Sequence, residues 1–296
     1  PQWIWALSSL ALMGGINFIA VRLFGEFEFW FALIKVIAIV AMILMGVSVI
    51  FFGYTNSGIP LGIGNLWENG GFFPNGISGF LFSLQMVVFA YVGIEMIGLS
   101  AGEAEEPKKT IPMAIDSLAW RILIFYGGAL FVILSIFPWN EVGGQGSPFV
   151  AMFERIGLRE AAGIINFVVI TAALSSCNAG IFSGGRLLYG LSLNGYAPKK
   201  LSNLSSTGVP SRAVIATVLV PMLGILLNYF VPEKAFQWAT AAVTLIGLFV
   251  WVAILVTQLK FRKQISTREI NELNYKSIWW PYASWLALAF IGLVVV

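Results

Sequence analysis

Between Ile34 and Ile50 one charged residue, Lys35, interrupts a run that is otherwise apolar on every side, and seven further stretches of the chain read the same way. A surface helix keeps a polar face, and a strand of a membrane barrel alternates in polarity, so neither fits such a run. About 20 apolar residues in a helix cross about 30 Å of hydrocarbon. Each run therefore predicts a membrane span, at approximately 2–21, 29–53, 76–100, 118–138, 161–187, 213–231, 235–259 and 279–296. With 58% apolar and 10% charged residues, against about 25% charged in an average soluble domain, the solvent is lipid. The fold class is all-α and integral to a membrane, one transmembrane domain over 1–296. Because the first residue is Pro1 and the last apolar run stops at Val296, truncation at both ends is expected.

The composition also narrows the chemistry. With no histidine the usual general base and metal ligand are missing, and Cys177 is the single cysteine, which leaves no intrachain disulfide or thiolate zinc cluster. No cofactor and no metal are expected. The 17 basic residues are scattered, so nucleic acid is not an expected partner; the bilayer is, and the oligomeric state is not fixed by the sequence. No secretory signal pattern opens the chain. Loops after odd-numbered spans hold Arg22, Lys108, Lys109, Lys199, Lys200, Arg212, Lys260, Arg262, Lys263, Arg268 and Lys276, while even-numbered loops hold Arg155, Arg159 and Lys234. Positive charge collects on the cytoplasmic side, which puts the odd loops inside and residue 1 outside. Trp3, Trp5, Trp30, Trp67, Trp139, Trp279 and Trp280 sit near span ends, as an interfacial belt does.

Two charges fall inside predicted spans, Lys35 in the second and Glu95 in the third; the other 13 acidic residues are expected in loops or at interfaces. A charge at mid-membrane costs about 2.5–3.5 kcal/mol on insertion scales and marks a functional candidate. Lys35 has two readings: a stem that snorkels its ammonium to water, or a buried amine that gains and loses a proton during a transport cycle. The second is the working expectation. Glu95 follows Phe89-Ala90-Tyr91-Val92-Gly93-Ile94, where Gly93 and Gly98 bracket it. Those glycines serve either close helix packing or a broken helix whose unwound backbone meets a substrate. In the fifth span Thr171, Ser175, Ser176, Cys177 and Asn178 precede Ser183-Gly184-Gly185-Arg186. Such hydroxyls bond back to their own helix, or Ser175 and Ser176 line a cation or proton site facing Lys35. The charge run Ala101–Pro112 is a solvated loop, or a gate-facing ion-pair segment.

Several of these segments, in order, resemble the bacterial amino acid permeases. They are Gly25-Glu26-Phe27-Glu28-Phe29-Trp30-Phe31 leading to Lys35, Phe89 through Glu95, Gly102-Glu103-Ala104 with Pro107 and Ile111-Pro112, Gly184-Gly185-Arg186-Leu187-Leu188-Tyr189, Asn194-Gly195-Tyr196-Ala197-Pro198 and Gly208-Val209-Pro210. The resemblance is to the amino acid transporter family of the amino acid-polyamine-organocation superfamily. It implies a twelve-span, proton-coupled importer in a bacterial cell membrane, with a leucine-transporter-type fold of two inverted five-helix repeats. This chain would hold spans four to eleven, without span one, the other broken helix of the family's site. By position, Phe89 matches the aromatic gate over the substrate, and Ala90, Tyr91, Val92 and Gly93 match the break that receives its amino group. Glu95 matches the acid after that break, and Lys35 matches a lysine standing where sodium-driven relatives hold an ion. Ser176, and Ser175 with it, match positions near that ion.

The expected function is secondary active import of an L-amino acid by proton symport and alternating access. The expected partners are amino acid and protons, with Lys35, Glu95 and Ser175 coupling the proton. No second membrane-embedded acid pairs a cationic side chain and no arginine lies deep, so a neutral substrate is expected: proline, threonine, serine or an aromatic amino acid. The competing readings are a non-transporting sensor or scaffold on the same fold and a membrane-embedded enzyme, which the lack of histidine disfavours.

Overall fold

The computed structural model of the chain describes residues 1–19, 21–52, 62–99, 106–142, 147–155, 157, 159–273 and 275–295. Regular structure among them is entirely helical. In chain order the helices are α1 (Gln2–Ile19), α2 (Val21–Phe52), α3 (Gly76–Tyr91), α4 (Met96–Leu99), α5 (Pro107–Arg121), α6 (Gly128–Ile136), α7 (Pro148–Arg155), α8 (Arg159–Leu193), α9 (Ser211–Phe230), α10 (Pro232–Gln264), α11 (Thr267–Glu272) and α12 (Tyr282–Val295). A π-helical turn, Ile122–Gly127, joins α5 to α6.

Six described helical segments are long and apolar enough to cross a membrane: Gly25–Phe52, Gly76–Gly98, Pro107–Ile136, Glu160–Leu193, Ser211–Phe230 and Pro232–Gln264. Each falls on a predicted span. The first and last predicted spans are α1, 18 residues long, and α12, 14 residues long. Large apolar side chains are exposed all along these helices, Leu44, Phe82, Leu223 and Phe249 among them, as on helices solvated by lipid rather than water.

Several boundaries differ from expectation, among them three helix starts and the ends of α8 at Leu193 and α10 at Gln264, for one reason. Hydropathy marks the hydrocarbon slab, whereas a helix continues beyond it once its charges reach water. Thus α2 starts at Val21 rather than 29 and carries Glu26 and Glu28. Helix α5 starts at Pro107 rather than 118, because a first helical position needs no N–H and suits proline's fixed φ. The second half of the expected charged loop is therefore helix, and its first half, 101–105, lies outside the described residues. Helix α10 starts at Pro232, so Val231 alone separates it from α9 and Lys234 is helical.

The chain divides into two compact units, Pro1–Pro74 with Ala119–Phe230, and Asn75–Leu118 with Val231–Val296. In the first, α8 is the central post. Leu10 and Met13 of α1 meet Ile181 of α8 and Val214 of α9, and Met42 and Val49 of α2 meet Val132 and Ile136 of α6, Met152 and Phe153 of α7 and Ile165 of α8. Gly184 lets α9 come close, since a Cβ there would lie 2.6 Å from Cγ2 of Thr217, which is the small-residue packing of membrane helices. Buried between α1 and α8, the Asn17 amide donates to Oδ1 of Asn178 at 2.8 Å. In the second unit Val88 of α3, Leu248 of α10 and Ile291 and Val294 of α12 form the core.

Candidate functional site

In the first unit the deep lysine has partners. Its ammonium donates to Oγ of Ser175 at 2.7 Å, and that hydroxyl donates in turn to Oε1 of Glu28 at 2.6 Å. The direct Lys35–Glu28 separation is 3.9 Å, so the serine bridges the pair. Helix geometry builds this arrangement. Glu28 and Lys35 stand seven residues apart, about two turns, on one face of α2, and Thr171, Ser175 and Asn178 recur at helical spacing as the buried polar face of α8. Ser175 is 1% exposed, while Lys35 and Glu28 keep 26% and 30% of their side-chain surface. One residue on, about 100° around the helix, Ser176 is exposed and donates to the Ala172 carbonyl at 3.1 Å. The two serines thus face different ways, and only Ser175 meets the lysine. An apolar cavity of about 320 Å³ adjoins Lys35, lined also by Ala38, Phe149, Ile165, Val169 and Ala172.

In the second unit the predicted break is present. Helix α3 ends at Tyr91, Val92 turns extended (φ −59, ψ 130), and helix resumes at Met96. Across the gap the main chain bonds tightly, Val92 to the Phe89 carbonyl, Ile94 to that of Tyr91 and Met96 to that of Gly93. Gly93 takes φ 108, a conformation that disfavours any side chain. Its N–H donates to Oε2 of Glu95 at 3.1 Å, and the same oxygen accepts from Nε1 of Trp251 on α10 at 3.0 Å. A carboxylate after the break thus ties the unwound backbone to a neighbouring helix. That helix comes close through Gly247, where a Cβ would lie 2.7 Å from Cγ2 of Val92. Phe89, Tyr91, Val92, Gly93 and Glu95 are half-buried and Ala90 is exposed. Nearby, Gln237, Thr240 and Thr244 of α10 and Gln85 of α3 face a cavity of about 410 Å³ whose lining does not include the break.

Two residues here escaped sequence reasoning. Glu28, expected in a loop or at the interface, lies on α2 within the Gly25–Phe52 membrane-length segment; its seven-residue spacing from Lys35 was the available signal. Trp251 was hidden among lipid-facing aromatics, since nothing local marks an indole whose partner lies 156 residues away. Among the described residues, no three His, Cys, Asp or Glu side chains gather as a metal site.

The comparisons with known proteins decide the family. The model of the family described as "Amino acid permease" matches residues 1–296. The chain belongs to the amino acid permease family. It is 54% identical over 296 residues to the uncharacterized amino acid permease YtnA of Bacillus subtilis (strain 168). It is 47% identical to the probable threonine/serine transporter YbxG and 45% identical to the amino-acid permease AapA of the same organism, again over 296 residues. In each case all of this chain is aligned, and it spans 64% of the relative's length. Membership agrees with the all-α fold and its membrane-length helices. This is a multi-pass membrane protein with a partial permease bundle.

Proposed function

We propose that the full-length protein imports a neutral L-amino acid by proton symport, through alternating access around a mid-membrane site. The observation that carries this reading is the Lys35–Ser175 bond. It holds an ammonium between two helices at the position the family resemblance assigns to a sodium ion in sodium-driven relatives, so a proton on Lys35 takes the place of that ion. In the second unit the break offers Phe89, Ala90, Tyr91, Val92 and Gly93 as substrate-binding positions and Glu95 as a coupling position; in the first, Ser176 is a substrate-binding position and Lys35 and Ser175 are coupling positions. The bracing of Gly93 by Glu95 supports a preformed backbone site, the arrangement broken membrane helices offer to small ions and zwitterions. One domain over 1–296, residue 1 outside, odd-numbered loops in the cytoplasm and a bacterial cell membrane complete the proposal. The likeness to a relative named a probable threonine/serine transporter supports trying those two amino acids first, before proline and the aromatic ones.

The test is uptake of a labelled amino-acid panel by the full-length protein in proteoliposomes, under an inward proton gradient and with or without sodium. Accumulation of a neutral class that collapses with a protonophore, ignores sodium and is lost in Lys35→Ala is expected. Sodium-dependent uptake, or unchanged proton-driven uptake by Lys35→Ala, would overturn the coupling. Tight binding without accumulation would favour a sensor.

A further inference from the structure

We infer that Glu28 is the group that takes the proton from Lys35, through the Ser175 hydroxyl, on its way to the cytoplasm. The inference rests on the reading of Lys35 as the proton carrier and names what that reading lacks, a place for the proton to go. The three groups form a directed chain: the ammonium donates to Ser175, and Ser175 donates to the carboxylate. Transfer moves one Lys35 proton from Nζ to Oγ of Ser175 while the proton already on Oγ moves to Oε1 of Glu28. The products are a neutral amine, a restored hydroxyl and a neutral carboxylic acid, with atoms and charge conserved.

A second observation points to the same residue. Oε2 of Glu28 is buried and has no hydrogen-bond partner among the described residues. A buried carboxylate oxygen without a donor is costly while the group is charged, so this carboxylate gains from being neutralised by a proton arriving on Oε1. Position supplies the direction. Glu28 lies about two turns nearer than Lys35 to the junction of α1 and α2, the end that the proposed topology puts on the cytoplasmic side.

Few other charges face the pair. Helices α1 and α6 carry none, and α7 carries Glu154 and Arg155, the latter paired with Glu141. On α8, Arg159 and Glu160 stand near the start and Arg186 and Tyr189 near the end, each more than about 15 Å along the axis from Ser175, with Cys177 as its remaining titratable group. Glu26 shares α2 and is two residues from Glu28.

The experiment measures protons carried per amino acid by the full-length protein in proteoliposomes, with an internal pH dye and labelled substrate, across a range of external pH. Glu28→Gln is expected to lower the proton count toward zero and to flatten the pH dependence of uptake. Ser175→Thr is expected to couple, whereas Ser175→Val, nearly the same shape without the hydroxyl, is expected to lose coupling; this pair decides the matter if Glu28→Gln fails to insert. An unchanged proton count and pH profile in Glu28→Gln, or equal coupling by the Thr and Val variants, would overturn the relay while loss of coupling in Lys35→Ala leaves the carrier role standing. Intact coupling in Lys35→Ala would overturn the carrier role itself, and the relay with it.

Discussion

The two units solve the same problem, polarity inside lipid, in opposite ways. In the first, unbroken helices keep their own backbone satisfied, and polarity comes from side chains brought together across 140 and 147 residues. In the second, the helix itself is opened, and polarity comes from the main chain around Gly93, held in shape by a carboxylate two residues away. The first arrangement suits a group that changes its charge, because moving a proton along two hydrogen bonds disturbs no helix. The second suits an ordered zwitterion, since backbone groups fixed by a turn neither titrate nor reorient. On the proposed reading, then, the lysine site is built from side chains and the site at the break from main chain.

Substitutions can break that division. The largest effect is expected from Glu95→Ala, which removes the acceptor of both Gly93 and Trp251. Hydrogen bonds to a charged group are each worth about 1.5–3 kcal/mol, so amino-acid affinity measured by calorimetry should fall at least about tenfold; unchanged affinity would mean that the carboxylate does not hold the break. Gly93→Ala comes next, because a Cβ at φ 108 costs about 1–3 kcal/mol. Its signature is weaker binding with the pH profile of uptake retained, and a shifted profile would blur the line between the units. Trp251→Phe keeps the ring and deletes one donor, so a drop in affinity smaller than that of Glu95→Ala is expected. An equal drop would make the indole, rather than the turn, the principal brace.

The smallest effect lies outside both sites. Ser266 caps α11, and its backbone N–H and hydroxyl both bond Glu269, holding that carboxyl below its usual range. A lowered acid favours the fold when ionised, so this cap is complete above the ordinary glutamate range and weakens as the pH falls through the lowered value. Protection factors of residues 267–272, corrected for the intrinsic pH dependence of amide exchange, should fall at acid pH, and Glu269→Gln should remove most of that change. A pH dependence that survives in Glu269→Gln would point to another titrating group.

Much of this was legible in the sequence, and the rest was hidden for definite reasons. Apolar runs located six membrane-length helices in order among the described residues, of eight spans expected, because lipid imposes its thickness on any helix that crosses it. Their ends were misplaced at Val21, Pro107 and Pro232, where a helix outlasts the hydrocarbon. Gly93 and Glu95 announced the break because its cause is local: an open glycine and an acid within two residues. Lys35 and Ser175 were each visible, but the bond between them was not, and Ser176 could be separated from Ser175 only once the rotation of α8 against α2 was known. Glu28 looked like an interfacial charge, and Trp251, inside the seventh predicted span, carried no local mark.

Taken alone, then, the sequence determined what is written in periodicity and composition: an all-α membrane bundle, an acid between two glycines in the third span and a lysine deep in the second. Tertiary structure decided which side chains form one hydrogen-bonded chain and which indole braces the break. Those pairings depend on helix rotation and on contacts between residues more than a hundred positions apart, and no local pattern encodes either.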